Sequence, residues 1–235
     1  DRLAAELGRT SADVDREARR GLEELATGHG RRVHGLLAAA GRALCRRGYE
    51  SIDVDLQQVA RLQPLFDLSF VVVLSSHRSY LDGAALTAAL RDAGLPPTFE
   101  FVGINLGFWP LGALWRRSGG ILIRRKAGEP AYRLALRAFL ARVAERRLPL
   151  RWFIEGTRSR TGKLAPPRPG LLAWVVEASR AAGVDLALVP ASVSYDQLHE
   201  DEEFAGEARG AGKQAESLGW LLRYVRAQRG RFGDI

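Results

Sequence analysis

The sequence has 235 residues, of which 46% are hydrophobic and 26% charged; this composition is typical of a globular protein and excludes a disordered or fibrous chain. The formal net charge of +8 favours anionic partners, such as nucleic acids, anionic membranes or phosphorylated small molecules. A single cysteine, Cys45, excludes a disulfide framework and a cysteine-rich metal site, which fits a reducing compartment.

No stretch approaches the roughly 20 consecutive apolar residues that a membrane-spanning helix needs, so we predict no integral span. The chain contains no methionine and begins at Asp1. We therefore expect a fragment, truncated at its C-terminal end as well, and draw nothing from the absence of a targeting segment.

The first part of the chain is predicted to be helical. Apolar residues recur with helical spacing from Val33 to Leu44, and an earlier pattern around Leu22 ends near Gly28. We therefore assign residues 1–62 to an N-terminal helical region and residues 63–235 to the main domain.

From about residue 66, short apolar runs alternate with helical patterns. The predicted strands are Phe70 to Leu74, Phe99 to Val102, Ile121 to Ile123, Trp152 to Ile154 and Leu186 to Val193. The predicted helices are Leu81 to Ala93, Ala131 to Glu145, Leu171 to Ala181 and Ala215 to Arg226. This alternation indicates an α/β domain with a mixed, mostly parallel sheet flanked by helices and preceded by a small N-terminal helical layer. Pro190 places the last strand at an edge or at a bulge.

The first segment of chemical interest, Ser75 to Asp82, follows the first strand, where α/β folds place reactive groups. His77 is suited to accept a proton near neutral pH, and the carboxylate of Asp82 would fix its tautomer. On one regular helix the two residues would point ~140° apart, so the pairing requires His77 in the turn and Asp82 in the first helical turn. A purely structural interpretation stays open, in which Ser79 caps the helix and Asp82 complements its dipole.

Three further segments follow or contain predicted strands. Gly119 to Arg125 ends in an arginine pair, which is typical either of a bidentate phosphate site or of a solvated sheet edge. Phe153 to Lys163 combines glycine, hydroxyl groups and basic side chains, and this combination suits an anionic ligand. Leu188 to Tyr195 is a strand interrupted by proline.

In this order and at these intervals, the four segments resemble the motif blocks of the glycerolipid acyltransferases. The branch that they resemble is the glycerol-3-phosphate acyltransferases in their bacterial membrane-bound form, over roughly residues 45–235. The third block is specific to this branch, because Glu155 to Arg160 is followed by Gly162-Lys163 and Pro166-Pro167. The sequence departs from the family at Ser75, where relatives often carry proline, and at Leu122, which is often phenylalanine.

The resemblance implies that a long-chain acyl group passes from acyl-CoA or acyl carrier protein to the sn-1 hydroxyl of glycerol 3-phosphate. The product would be lysophosphatidate, in the first step of phospholipid synthesis. His77 would be the general base and Asp82 its partner. The substrate-binding residues that the resemblance implies are Arg124, Arg125, Glu155, Gly156, Arg158, Ser159 and Pro190. No cofactor or metal is expected, because the thioester is an activated co-substrate.

Other readings remain. The acceptor would instead be dihydroxyacetone phosphate or lysophosphatidate, or the chain would be a non-catalytic module that binds nucleic acid or lipid. Aromatic residues are not interleaved with the basic clusters as in a stacking platform, so no nucleic-acid partner is expected.

We expect a peripheral position at the cytoplasmic face of the cell membrane, against an anionic lipid surface. The apolar side chains around Trp109 and Trp115, followed by Arg116 and Arg117, would enter the lipid interface or line an acyl channel. Packing in the protein core explains the same side chains equally well.

Overall fold

The computed structural model describes residues 2–124, 128–159, 163–198, 218–228 and 232–235. The helices, numbered α1 to α10 in chain order, are Arg2–Leu7, Ser11–Leu25, Arg31–Cys45, Leu56–Ala60, Gln63–Leu68, Asp82–Asp92, Leu111–Arg117, Pro130–Glu145, Gly170–Ala182 and Leu218–Ala227. The strands, numbered β1 to β5, are Phe70–Ser75, Phe99–Gly103, Gly120–Ile123, Leu150–Phe153 and Leu186–Ala191. The last predicted helix is therefore observed from Leu218, and residues 215–217 lie outside the described residues.

The five strands form one sheet in the order β3-β2-β4-β1-β5, and all of their pairings are parallel. This confirms the predicted α/β fold, and the described strands include no antiparallel member. β5 lies at one edge of this sheet, as Pro190 predicted, because proline has no amide hydrogen for a further strand. In the register of β1 and β5, Ser75 lies beside Ala191, so both strands end at the same edge.

One face of the sheet packs against α8 and α9. β1 directs Phe70 and Val72 to this face, since side chains alternate along a strand. α8 presents the predicted apolar stripe to the same cluster: Tyr132, Leu136, Leu140 and Val143 are buried and Phe139 is partly buried. Burial of each such side chain contributes roughly 1.5–3 kcal/mol. α2 crosses α8 closely at Gly21, where a Cβ would lie 2.9 Å from the Cβ of Ala135.

The opposite face packs against α6, and α3 lies against α6 in turn. Val71 and Val73 of β1 are buried on this face beside Leu86 of α6. The adjacent strands β4 and β2 also place a charged pair there, Arg151 and Glu100. The N-terminal helices thus contact both layers, α2 on one side of the sheet and α3 on the other.

A further group of side chains joins the end of α3 to α10. We call it the aromatic cluster; its members are Tyr49, Tyr80, Tyr195, Trp220, Tyr224 and Phe232. Cys45 is fully buried beside it, and burial raises the pKa of this thiol to about 11, as expected of a structural cysteine. The backbone of residues 232–235 is hydrogen-bonded both to residues 48–53 and to residues 196–197. These bonds fix the segment that follows β5.

Candidate active site

The loops after β1 and β4 meet at the carboxyl edge of the sheet. Neighbouring parallel strands lie about 4.8 Å apart, so the segments that leave them run side by side. The amide of Ile154 donates to the carbonyl of Ser75 at 3.0 Å, and the amide of Ser159 donates to the carbonyl of His77 at 2.8 Å. The first and third predicted segments therefore form one site.

His77 and Asp82 are hydrogen-bonded to each other. Nδ1 of His77 lies 3.1 Å from Oδ2 of Asp82. His77 lies in the turn and Asp82 is the first residue of α6, which is the geometry that the sequence predicted for the pair. Oδ2 of Asp82 also accepts hydrogen bonds from the amides of Arg78, at 2.7 Å, and Ser79, at 2.9 Å. Because a carboxylate only accepts, Nδ1 of His77 carries the hydrogen, and the lone pair of the neutral imidazole lies on Nε2.

Ser79 is not the capping residue of α6, as the purely structural interpretation would have it. α6 begins at Asp82 after Leu81, and the hydroxyl of Ser79 accepts a hydrogen bond from the amide of Leu81 at 3.0 Å. The hydroxyl therefore stabilises the turn before the helix. Asp82 does lie in the first helical turn, where its charge is favourable to the helix dipole. The same carboxylate therefore serves both the helix and the hydrogen bond with His77.

The imidazole of His77 stacks on the ring of Phe153. The ring centroids are 3.8 Å apart and the ring planes differ by 10°. Phe153 is the last residue of β4 and is in register with Ser75, so its ring lies beneath the turn that carries His77. The His77 side chain is 19% exposed. The imidazole is therefore held on one face while it remains accessible to a ligand.

Tyr195 contacts the same carboxylate, although the sequence analysis did not assign it to the site. Its hydroxyl donates to Oδ1 of Asp82 at 2.7 Å. Tyr195 was part of the fourth predicted segment, and the parallel pairing of β1 with β5 brings the residues after both strands together. The available signal in the sequence was the position of Tyr195 in a polar segment that directly follows a strand.

Glu155 and Gly156 form the turn that leaves β4. Gly156 has φ +67°, a left-handed conformation that favours glycine, and its amide donates to the carbonyl of Phe153 at 2.9 Å. Glu155 is 2% exposed, and its Oε2 has no hydrogen-bond partner among the described residues. A buried carboxylate oxygen in this state is costly, and a hydroxyl group of a ligand would satisfy it.

Arg158 and Ser159 continue this turn. The guanidinium of Arg158 lies 4.5 Å from the centroid of the Tyr80 ring, and its Nη1 donates to the Ser159 carbonyl at 3.2 Å. The hydroxyl of Ser159 donates to the carbonyl of Lys163 at 2.7 Å. Ser159 thus joins its loop to the His77 turn, and Arg158 supplies a positive charge beside it.

Arg124 directly follows β3. In the strand order, β3 and β5 are the two outer strands of the sheet. Its guanidinium donates to Glu24 at 2.9 and 2.6 Å and is also paired with Glu129. The hydrogen bond to Glu24 is the main cause that raises the pKa of Arg124. The guanidinium also lies 4.6 Å from the centroid of the Tyr132 ring on α8, so the described partners of Arg124 lie on α2, before α8 and on α8 rather than around His77. Arg125 lies outside the described residues.

Pro190 lies in β5 beside Leu74 of β1, next to the strand that leads to His77. Among the residues that the structure describes, no group of three or more histidine, cysteine, aspartate or glutamate side chains is placed to hold a metal ion.

Comparisons of the sequence with a family model and with curated proteins point to the same family. The family model named Acyltransferase matches residues 57–194. The chain is 41% identical over 233 residues to the "Putative acyltransferase plsB1" of Mycobacterium tuberculosis, covering 98% of this chain and 37% of that protein. It is 37% identical over 184 residues to the "Glycerol-3-phosphate acyltransferase" of Histophilus somni, covering 77% of this chain and 22% of that protein. The chain thus spans well under half the length of these curated relatives.

Proposed function

The chain belongs to the acyltransferase family, and we propose that it transfers a long-chain acyl group from an acyl thioester to the sn-1 hydroxyl of glycerol 3-phosphate. The observation that carries this proposal is the hydrogen-bonded pair of His77 and Asp82 at the carboxyl edge of the sheet. The similarity to a protein named glycerol-3-phosphate acyltransferase supports this acceptor. The product would be lysophosphatidate, for phospholipid synthesis.

The geometry supports His77 as the general base. With its Nδ1 hydrogen donated to Asp82, the imidazole accepts the hydroxyl proton of glycerol 3-phosphate at Nε2. The acceptor oxygen then attacks the thioester carbonyl, and the tetrahedral intermediate expels the thiolate. The imidazolium of His77 returns the proton to this thiolate. One ester bond forms, one carbon–sulfur bond breaks, and neither an acyl-enzyme nor a cofactor is needed.

The proposed acceptor site is formed mainly by residues of the third segment, Phe153 to Lys163. The unsatisfied Oε2 of Glu155 would accept a hydrogen bond from a glycerol hydroxyl, and Arg158 would bind the phosphate. Gly156 and Ser159 would shape the loop, and Pro190 would support the strand beside it. A contact between the phosphate and Arg124 would replace one of the carboxylates that now hold this arginine, and Arg125 would assist from the same segment.

The assay of this function follows free thiol released from palmitoyl-CoA or palmitoyl-acyl carrier protein by the intact protein. Thiol release is expected with glycerol 3-phosphate present and at background level without an acceptor. Higher kcat/KM with dihydroxyacetone phosphate or lysophosphatidate would change the assigned acceptor but keep the chemistry. Absence of acceptor-dependent release with both donors would reject acyl transfer and favour a module that only binds lipid.

We further propose that the protein acts as a peripheral protein at the cytoplasmic face of the cell membrane. The loop between β2 and α7 supports this proposal, because Trp109 is 84% exposed and Ile104 is 42% exposed there. Arg117, at the end of α7, is exposed and would face anionic lipid headgroups. Trp115 is instead half-buried against Gly120, so the two tryptophans have different roles. No helix among the described residues is long and apolar enough to cross a bilayer.

Replacing Trp109 with alanine is expected to weaken binding to vesicles that contain phosphatidylglycerol roughly tenfold, because a large aromatic side chain no longer enters the interface. Co-sedimentation with the vesicles measures the effect. Leu68→Ala is the matched control. Leu68 is 69% exposed but precedes the amino end of β1, whereas Trp109 follows the carboxyl end of β2. Equal vesicle binding by Trp109→Ala and the unaltered protein would show that this loop does not contact the membrane.

A further inference from the structure

The carboxylate of Asp82 is held by different donors at its two oxygens. Oδ2 faces Nδ1 of His77 and the amides of the turn, whereas Oδ1 accepts the hydroxyl of Tyr195 at 2.7 Å. We propose that Tyr195 is a positioning residue that fixes the plane of this carboxylate, and through it the orientation and tautomer of His77. The role in turnover rests on the proposed function.

The hydroxyl of Tyr195 is suited to this task because its bond is short and its acceptor is charged. An O–H donor on an ionised acceptor forms one of the stronger hydrogen bonds in proteins. Asp82 is 1% exposed, so water does not readily take the place of a lost donor. Without this bond the carboxylate gains freedom to rotate about its Cβ–Cγ bond. The donor of His77 would then lose a fixed acceptor.

Tyr195 is itself held by segments that are distant in sequence. Its ring lies 5.4 Å from the ring of Tyr49 in the aromatic cluster. The amides of Asp196 and Gln197 donate to the carbonyls of Asp234 and Phe232, at 3.1 and 3.2 Å. The phenol therefore reaches Asp82 from a backbone that is fixed independently of the His77 turn, as a positioning residue requires.

Tyr195→Phe tests the proposal, because it removes the hydroxyl and keeps the ring in the aromatic cluster. We expect kcat to fall roughly 10- to 100-fold, the effect of losing a hydrogen bond to a charged group. The KM for the acceptor should change less than about twofold, since Tyr195 acts through Asp82 rather than on the substrate. Ser179→Ala is the control for the loss of a buried hydroxyl: Ser179 lies on α9, outside the proposed site, and its hydroxyl donates to the carbonyl of Val184 at 2.6 Å, so its loss should leave kcat unchanged.

A double-mutant cycle separates positioning from a general structural role. In the Asp82→Asn background, Tyr195→Phe should reduce kcat by less than about twofold, because the group through which it acts is already altered. Equal losses in both backgrounds, or equal losses in Tyr195→Phe and Ser179→Ala, would overturn the proposal. Tyr195→Phe with kcat within about twofold of the unaltered protein would overturn it as well.

The proton resonance on Nδ1 of His77 provides a test that does not depend on turnover. Its assignment rests on its loss in His77→Ala. Tyr195→Phe should shift or broaden this resonance, and Ser179→Ala should leave it in place. An unchanged resonance in Tyr195→Phe would reject the positioning role. If the unaltered protein shows no acceptor-dependent thiol release, the proposed function fails, while the resonance still decides whether Tyr195 positions the pair.

Discussion

His77→Ala is expected to lower kcat for acyl transfer to glycerol 3-phosphate by roughly 10²–10⁴-fold, the usual contribution of a positioned general base. The acceptor hydroxyl is a poor nucleophile until its proton is removed, and in the proposed mechanism Nε2 of His77 accepts this proton while Asp82 orients the imidazole. The KM for glycerol 3-phosphate should change little, because in the proposed acceptor site the loop after β4 would bind the phosphate and a glycerol hydroxyl. Thiol release under saturating acceptor measures the effect.

His34→Gln is the matched control for this substitution. His34 lies on α3 and is not among the residues proposed for the reaction; burial together with the positive charges of Arg151 and Arg91 lowers its pKa. Its turnover should equal that of the unaltered protein. If His77→Ala keeps more than about a tenth of the activity, another group removes the proton, and the pairing with Asp82 is structural.

The site depends on residues that are far apart in the chain. Arg158 rests on the ring of Tyr80, and this ring contacts Trp220 of α10 with centroids 4.5 Å apart. Tyr195 reaches Asp82 from the other side of the same aromatic cluster. The segments after β5 therefore support both the proposed phosphate contact and the proposed base.

The sequence predicted the strands well because each is a short run rich in β-branched and apolar residues. β1 was predicted as Phe70 to Leu74 and ends one residue later. Parallel pairing and the rule that reactive groups follow strand ends then placed His77 and Glu155 at one edge. The spacing of His77 and Asp82 was compatible with a pair but left a structural interpretation open, and the resemblance to the acyltransferases implied their pairing.

Other features depend on contacts that no local pattern encodes. The ion pair between Arg124 and Glu24 joins residues 100 positions apart, so the sequence showed an arginine at a strand end but not the carboxylate that holds it. The apolar run that contains Trp109 and Trp115 likewise did not reveal which tryptophan is exposed. The short helix α7 was missed because seven residues carry too little periodicity.

A buried ion pair beneath α6 connects the sheet to the proposed base. Nη2 of Arg151 donates to Glu100 at 2.6 Å and to the hydroxyl of Thr87 at 2.8 Å, and this hydroxyl donates to the carbonyl of Gly83 at 2.6 Å. Gly83 directly follows Asp82, so the chain of bonds runs from β2 and β4 to the first turn of α6. Arg151 is 4% exposed and Glu100 is 9% exposed.

Glu100→Gln is expected to lower the free energy of unfolding by about 3–5 kcal/mol, because it leaves the charge of Arg151 buried without its counterion. This is a large part of the roughly 5–15 kcal/mol by which domains are stable, and urea denaturation at pH 7 measures it. Replacing both partners, as Glu100→Leu with Arg151→Met, should cost much less than Glu100→Gln, since no charge remains buried.

Glu177→Gln is the control for this pair. Glu177 is bonded to Arg137 on the surface, with side chains 53% and 56% exposed, and such pairs contribute about 0–1 kcal/mol. A loss below about 1 kcal/mol in Glu100→Gln would mean that Arg151 finds other partners or water. In that case the first turn of α6, and with it Asp82, would be held by Thr87 and the surrounding apolar side chains rather than by the charge on β2.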